Sequence, residues 1–214
     1  KAAMTCTAPR HNNPFQSAAD FRRHVDSRLT LEPSKLVLTA PAAPPTPRPS
    51  DFDLNPGLDR ELAINKPPRA AAVLVPVVAR SPLTVLFTLR TDHLPTHAGQ
   101  VSFPGGKIDA GDESARATAL REANEEVALS AHEIEPLGFL DTYRTSTGYS
   151  VAPLVALVAP DHAANPNPDE VAEIFEVPLA FLMDPTNIAL HSRMWMGRQR
   201  HFYANGPGCT ARSE

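Results

Sequence analysis

The chain has 214 residues, 42% hydrophobic and 21% charged, the balance of a globular protein with room for one ordinary domain and an extension. Its 20 basic and 24 acidic residues leave a net charge of −4, and the lysines (Lys1, Lys35, Lys66, Lys107) are scattered. This argues against a partner gripped along a nucleic-acid backbone, though not against a nucleotide-sized ligand. No apolar run approaches a membrane span, no signal-peptide pattern opens the chain, and Cys6 and Cys209 lie at opposite ends without a CxxC. The expectation is a cytoplasmic protein with no membrane partner, disulfide framework or structural zinc site.

Residues 1–16 are polar and irregular. Ser17–Leu29 predicts a short amphipathic helix, capped by Ser17 and with Phe21, Val25 and Leu29 at four-residue spacing. Ala40–Pro56 is rich in proline, which fixes φ and removes donors, so it reads as an extended linker. Residues 1–58 therefore form an N-terminal extension, with nothing chemical expected in it.

The globular pattern spans residues 59–205. Ala71–Ala79 and Leu83–Thr91 are apolar, β-branched runs separated by Arg80–Ser81–Pro82, the pattern of an antiparallel pair. Gln100–Phe103 predicts a short strand that enters a turn at Pro104–Gly105–Gly106. Ser114–Val127 holds helix formers without Gly or Pro, with Asp112 and Glu113 at its start, where the helix dipole favours acid. Ile134–Tyr143 and Tyr149–Val158 read as strands, and Pro166–Pro168 as a break. Glu173–Val177 and Ile188–Met196 follow as strands, with a helical turn at Pro178–Met183; Trp195 reads as core or edge packing. Strands mixed with one well-marked helix predict an α/β or α+β domain. Residues 206–214 read as an irregular tail.

The chemistry concentrates in Gly105–Leu129, "GGKIDAGDESARATALREANEEVAL". On a helix, Glu122, Glu125 and Glu126 fall at i, i+3 and i+4, so all three carboxylates share one face. Leu120, Ala123 and Val127 form another face that can pack on a sheet. A solvated acidic face is the plain reading of three glutamates. However, three like charges repel unless a cation sits among them, and Mg²⁺ or Mn²⁺ prefers carboxylate oxygens shared with phosphates. Arg121 is placed to orient one carboxylate through a bidentate pair. The Gly105–Gly106 turn can bring backbone amides close to a phosphate, and Lys107 adds a compact positive charge. A glycine turn joined at fixed distance to a carboxylate helix is a far rarer combination than either part alone.

This stretch resembles the Nudix box: Gly106, an acidic position filled by Asp112 or Glu113, then Arg121, Glu122, Ala123, Glu125, Glu126 and Leu129. The box here is one residue longer than the common form, and Ala128 stands where it usually has glycine. Upstream, "LFTLRTDHLPTHAGQVSFPGG" (Leu86 to Gly106) is similar to the segment before the box in the coenzyme A pyrophosphatase branch. Thr88, Arg90, Gly99, Val101 and Phe103–Gly106 match it in register, while Pro95 stands where that branch generally carries arginine. The resemblance covers about residues 68–203.

The resemblance implies a Nudix-type α/β/α sandwich with a mixed sheet and a strand–loop–helix motif. It implies Mg²⁺ or Mn²⁺ held by Glu122, Glu125 and Glu126, with Arg121 completing the catalytic set and Arg90, Gly105, Gly106 and Lys107 binding substrate. Glu170 or Glu173 is the candidate further acidic residue; Thr145, Ser146 and Tyr149 are candidate pocket or turn residues; His93 and His97 read as ordinary loop histidines. The implied reaction cleaves the pyrophosphate bond of coenzyme A to 3′,5′-ADP and 4′-phosphopantetheine, by a monomer or homodimer. ADP-ribose or an NADH-type dinucleotide is the alternative substrate, and a catalytically silent nucleotide-binding module the alternative class. The family usually continues into a strand and a terminal helix where this chain has Gly206, Pro207 and Gly208, which predicts a truncated end.

Overall fold

The computed structural model describes residues 15, 17–33, 49–58, 67–94, 97–195 and 197–205. The expectations for residues 1–14, the proline-rich stretch before Pro49, Pro95 and the tail 206–214 lie outside the described residues.

Two apolar ten-residue strands, β1 (Arg69–Val78) and β7 (Tyr149–Val158), pair in parallel from Arg69–Tyr149 to Val78–Val158. Nearly continuous apolar character suits strands covered on both faces. The other pairings are antiparallel, so the sheet is mixed. β2 (Thr84–Arg90) joins β1, while β3 (Val101–Ser102) and β8 (Val171–Pro178) join β2. β4 (Gly105–Lys107) also joins β1, and β5 (Ile134–Phe139) and β6 (Tyr143–Arg144) join β7.

Alternation along the central strands sends side chains to opposite faces. Ala72, Leu74, Ala152, Leu154 and Ala156 pack with Ala119, Ala123 and Val127 of α2 (Ala115–Val127). Val77, Val155 and Leu157 meet Phe21 of α1 (Ala18–Val25) and Leu179 of α3 (Leu179–Met183) on the other face. The result is the α+β architecture that the sequence predicts, arranged as the helix–sheet–helix sandwich that the resemblance implies.

Several expectations need correction. Ser17 caps α1 by accepting from Asp20 N, but the helix ends at Val25; Leu29 packs from the turn beyond. Gly105 and Gly106 are not a turn: they lie in β4, paired with Val73 and Ala72. Residues 49–58 are not a detached linker. Ser50 bridges to Arg144, and the buried Asn55 donates to Asp51 O and His201 O, both at 2.9 Å, and accepts from His201 N at 2.9 Å. A proline-rich composition says how a segment is extended, not what it lies against.

The predicted strand near Ile188 is β9 (Ile188–Trp195), which pairs with β10 (Arg198–Asn205) in a separate two-stranded sheet. β10 was not expected, because Arg198, Gln199, Arg200 and His201 give it no apolar alternation. Trp195 is 38% exposed and stacks near Arg200, so it is not core. No helix among the described residues is long and apolar enough to cross a membrane.

Candidate active site

Ser114 starts α2 by accepting from Ala117 N at 3.1 Å, and thirteen residues without Gly or Pro carry it to Val127. It stops at Ala128, which adopts the left-handed conformation (φ 56°, ψ 22°). The closing bonds run from Ala128 N to Asn124 O and from Leu129 N to Ala123 O. The exit that glycine usually makes is thus made by alanine. Burial of Ala119, Ala123 and Val127 against the sheet fixes the helix rotation and turns the glutamates towards β4.

Arg121, midway along α2, organises the acidic groups around it. Its Nε and Nη2 grip Asp112 bidentately, each at 3.0 Å, and its Nη1 reaches Glu122 at 2.9 Å and Glu125 at 2.8 Å. Asp112 also accepts from Thr118 Oγ1 and Asp109 N. The hydrogen bonds from Arg121 and Asp109 hold its carboxyl well below the usual carboxylate range. The first acidic position of the motif is therefore Asp112; Glu113 is exposed. Asp112 precedes the cap and serves the arginine rather than the helix dipole.

The three glutamates do not share one environment. Glu125 is half exposed at 54%, Glu122 is 16% exposed, and Glu126 only 3%. Burial raises the pKa of Glu122 and pushes that of Glu126 up to about 7. Gly105 N–H donates to Glu126 at 3.3 Å, and Arg90 Nη1 lies 3.7 Å away. Gly106 lacks a side chain where Glu122 needs space: a Cβ there would fall 2.5 Å from Glu122 Cδ.

Arg90, Gly105, Gly106, Lys107, Arg121, Glu122, Glu125 and Glu126 all line one cleft of about 780 Å³, a volume typical of small-ligand sites. Glu170 lines it too, whereas Glu173 does not; it sits in β8 opposite Leu89. His97 lines the rim, bonded to Gln100, and His93 meets Asp169 O. Thr147 and Tyr149 line the far end; Thr145 and Ser146 shape the turn before it.

The cleft also contains Arg69, which sequence reasoning missed; only its parallel pairing with Tyr149 brings it in, and no motif signals that pairing. Asp51 was missed as well. It accepts from Tyr143 Oη at 2.7 Å, Ser146 N at 2.7 Å and Ser146 Oγ at 2.8 Å, pinning the turn from the supposed linker.

Among the described residues no three His, Cys, Asp or Glu side chains already form a metal-ready cluster, and Arg121 engages Glu122 and Glu125. The donors nevertheless fit a hard divalent cation. All are carboxylate oxygens, and the most buried one, on Glu126, has no cation closer than 3.7 Å. The adjoining Arg90 Nε is buried without a hydrogen-bond partner.

Comparison with known proteins agrees with this geometry. Residues 67–204 match the family model described as NUDIX domain. Over 111 residues the chain is 51% identical to the Yersinia pestis (strain Pestoides F) protein named Uncharacterized Nudix hydrolase NudL, covering 52% of this chain and 56% of that one. The chain thus spans about half the length of the curated relatives it matches. Among solved structures it is similar to a Nudix hydrolase from M. smegmatis, RenU (TM-score 0.44, 20% identity, 53% of this chain and 72% of that one). It is also similar to the NUDIX domain of Shewanella oneidensis NrtR complexed with ADP ribose (TM-score 0.42, 24% identity, 58% and 86%). With a family match over more than half its length, and the carboxylate helix set against β4 inside that match, the chain belongs to the NUDIX domain family.

Proposed function

We propose that the chain is a metal-dependent pyrophosphatase that cleaves coenzyme A, or a derivative of it, to 3′,5′-ADP and 4′-phosphopantetheine. The observation that carries the hydrolase reading is the buried Glu126 beside Glu122 and Glu125, at one end of a cleft that also holds Arg90 and Lys107. The coenzyme A reading is supported by the Leu86–Gly106 segment, whose matching residues enclose that same end: Arg90, Phe103, Gly105 and Gly106 all line the cleft.

Glu122, Glu125 and Glu126 would hold Mg²⁺ or Mn²⁺, which when bound supplies charge neutralisation at phosphate oxygens and a lowered pKa for the attacking water. The remaining work falls to the chain. Asp112 fixes the Arg121 guanidinium, and Arg121 fixes Glu122 and Glu125, so two carboxylates are held before substrate arrives. Arg90 and Lys107 place positive charge where the pyrophosphate oxygens would lie. Glu170, which lines the same cleft, is the candidate to take the proton of the water.

Incubating the protein with Mg²⁺ or Mn²⁺ and coenzyme A, then separating products by chromatography, tests this. Release of 3′,5′-ADP and 4′-phosphopantetheine, faster than turnover of ADP-ribose or NADH, is the expected result. Equal or better turnover of ADP-ribose would remove coenzyme A as the substrate, and no turnover of any of the three would remove the hydrolase reading.

A further inference from the structure

We infer that Arg69, stacked on Tyr149, anchors a second anionic group of the substrate: a phosphomonoester on its nucleoside, separate from the pyrophosphate. This rests on the pyrophosphatase reading of the same cleft and adds a subsite to it.

The other cleft cations are already committed. Arg121 is taken up by Asp112, Glu122 and Glu125. Arg90 lies 3.7 Å from Glu126, and Lys107 lies 3.7 Å from Asp109. Arg69 is different. Among the described residues no carboxylate approaches its guanidinium within ion-pair range, and its closest partner is the Tyr149 ring, 4.2 Å from Cζ to centroid. Stacking orients the guanidinium plane through the ring face and leaves its edge donors open, the arrangement suited to a bidentate oxyanion.

Its position gives the unmatched charge a purpose. Arg69, Ala71 and Val73 are alternate residues of β1 that line the cleft in a row. Ala72 pairs with Gly106, over which Glu122 lies, so Arg69 stands three residues, about 10 Å, along the strand from the carboxylate end. An anion bound at Arg69 is therefore distinct from the pyrophosphate that would meet a cation held by Glu122 and Glu126.

The platform is also braced. Arg69 N donates to Gly148 O at 2.9 Å, Tyr149 N donates to Thr145 Oγ1 at 3.0 Å, and Asp51 holds Ser146 twice. The turn leading into Tyr149 is thus fixed from three sides, so little ordering is left for the moment of binding. A phosphomonoester, with two negative charges and three acceptor oxygens, gains from this fork what a free hydroxyl cannot.

Calorimetric binding of adenosine 3′,5′-bisphosphate and of 5′-AMP to the full chain, with and without Arg69→Met, tests the inference. Arg69→Lys serves as the conservative variant and thermal melting as the folding check. The wild type is expected to bind the bisphosphate at least about tenfold tighter than AMP. Arg69→Met should bring that ratio close to one, and Arg69→Lys should restore part of it. A wild-type protein that does not discriminate, including one that binds neither nucleotide, overturns the inference, as does a folded Arg69→Met protein with an unchanged ratio. The two readings fail separately. Discrimination lost in Arg69→Met, in a protein that does not hydrolyse coenzyme A, leaves the anchor standing and removes coenzyme A as the substrate. Hydrolysis of coenzyme A with no Arg69-dependent ratio does the reverse.

Discussion

Glu122 fills the space that a side chain at Gly106 would need, since a Cβ on Gly106 would come within 2.5 Å of Glu122 Cδ. The neighbouring Gly105 is constrained by something stiffer: a Cβ there would meet Ala72 O and Val73 Cα, both at 2.5 Å. Two adjacent glycines thus answer to different masters, one to a flexible carboxylate and one to the backbone of β1. Gly105→Ala should lower unfolding free energy by roughly 1–3 kcal/mol, as overpacking against fixed atoms does. Gly106→Ala should cost less stability but displace Glu122 and lower activity. Urea denaturation and initial-rate assays on the pair check the split.

Ala128 holds a left-handed conformation at the end of α2 without the freedom of glycine. Ala128→Gly should relieve that strain and stabilise the fold by about 1 kcal/mol, offset in part by the greater unfolded entropy of glycine. A higher denaturation midpoint with unchanged denaturant dependence is the expected measurement.

Glu126 carries a carboxylate almost wholly out of water, with a raised pKa and one hydrogen bond from Gly105. In chelator-treated protein, Glu126→Gln should therefore melt higher than wild type, because a neutral amide is easier to bury. Adding Mg²⁺ should raise the wild-type stability by about 2.7 kcal/mol at a hundredfold excess over Kd and leave Glu126→Gln nearly unmoved. Hydrolysis should fall on the order of 100-fold in the variant.

Asp112→Asn keeps the shape of the Arg121 partner and removes its charge. Arg121 would then lose its strongest tether and hold Glu122 and Glu125 less firmly. Activity should drop roughly 10- to 100-fold, with an increased metal requirement, and melting should also fall, because a carboxylate held below its ordinary pKa stabilises the fold that contains it. A metal titration of initial rates separates the two effects.

Glu176 on β8 accepts from Arg80 at 2.8 and 2.9 Å and from Thr84 Oγ1, and lies 3.3 Å from His162. Burial alone would raise its pKa, but the bonds from His162, Arg80 and Thr84 outweigh burial and hold it well below the usual carboxylate range. A depressed folded pKa gives stability that is complete above the unfolded value near 4.3 and fades as pH falls below it. Glu176→Gln should cost about 2 kcal/mol at pH 7, with the gap to wild type closing on acidification below about pH 4. Denaturation midpoints across that range check the sign.

Much of this was legible in the sequence because it rests on local periodicity. The i, i+3, i+4 spacing of Glu122, Glu125 and Glu126, the apolar stripe of Ala123 and Val127, and the long apolar runs of β1 and β7 need only neighbouring residues. What escaped depends on pairing between distant segments. Arg69 enters the cleft through a parallel register with Tyr149, eighty residues later, and Asp51 through bonds to Tyr143 and Ser146. The choice between Asp112 and Glu113 was likewise decided by which one reaches Arg121 in space. The split among the three glutamates follows from the close approach of β4, which buries Glu126 and leaves Glu125 in solvent.

Asn55 bonds backward to Asp51 and across to both backbone groups of His201, so a stretch upstream of the family match ties β10, the last described strand, to the turn that leads into Tyr149. A shortened protein beginning at Pro67 would keep every residue of the motif and still lack this latch. The smallest piece that carries the whole motif is therefore smaller than the smallest piece that is mechanically whole, and the difference would surface as a loosened Tyr149 end of the cleft rather than a missing carboxylate.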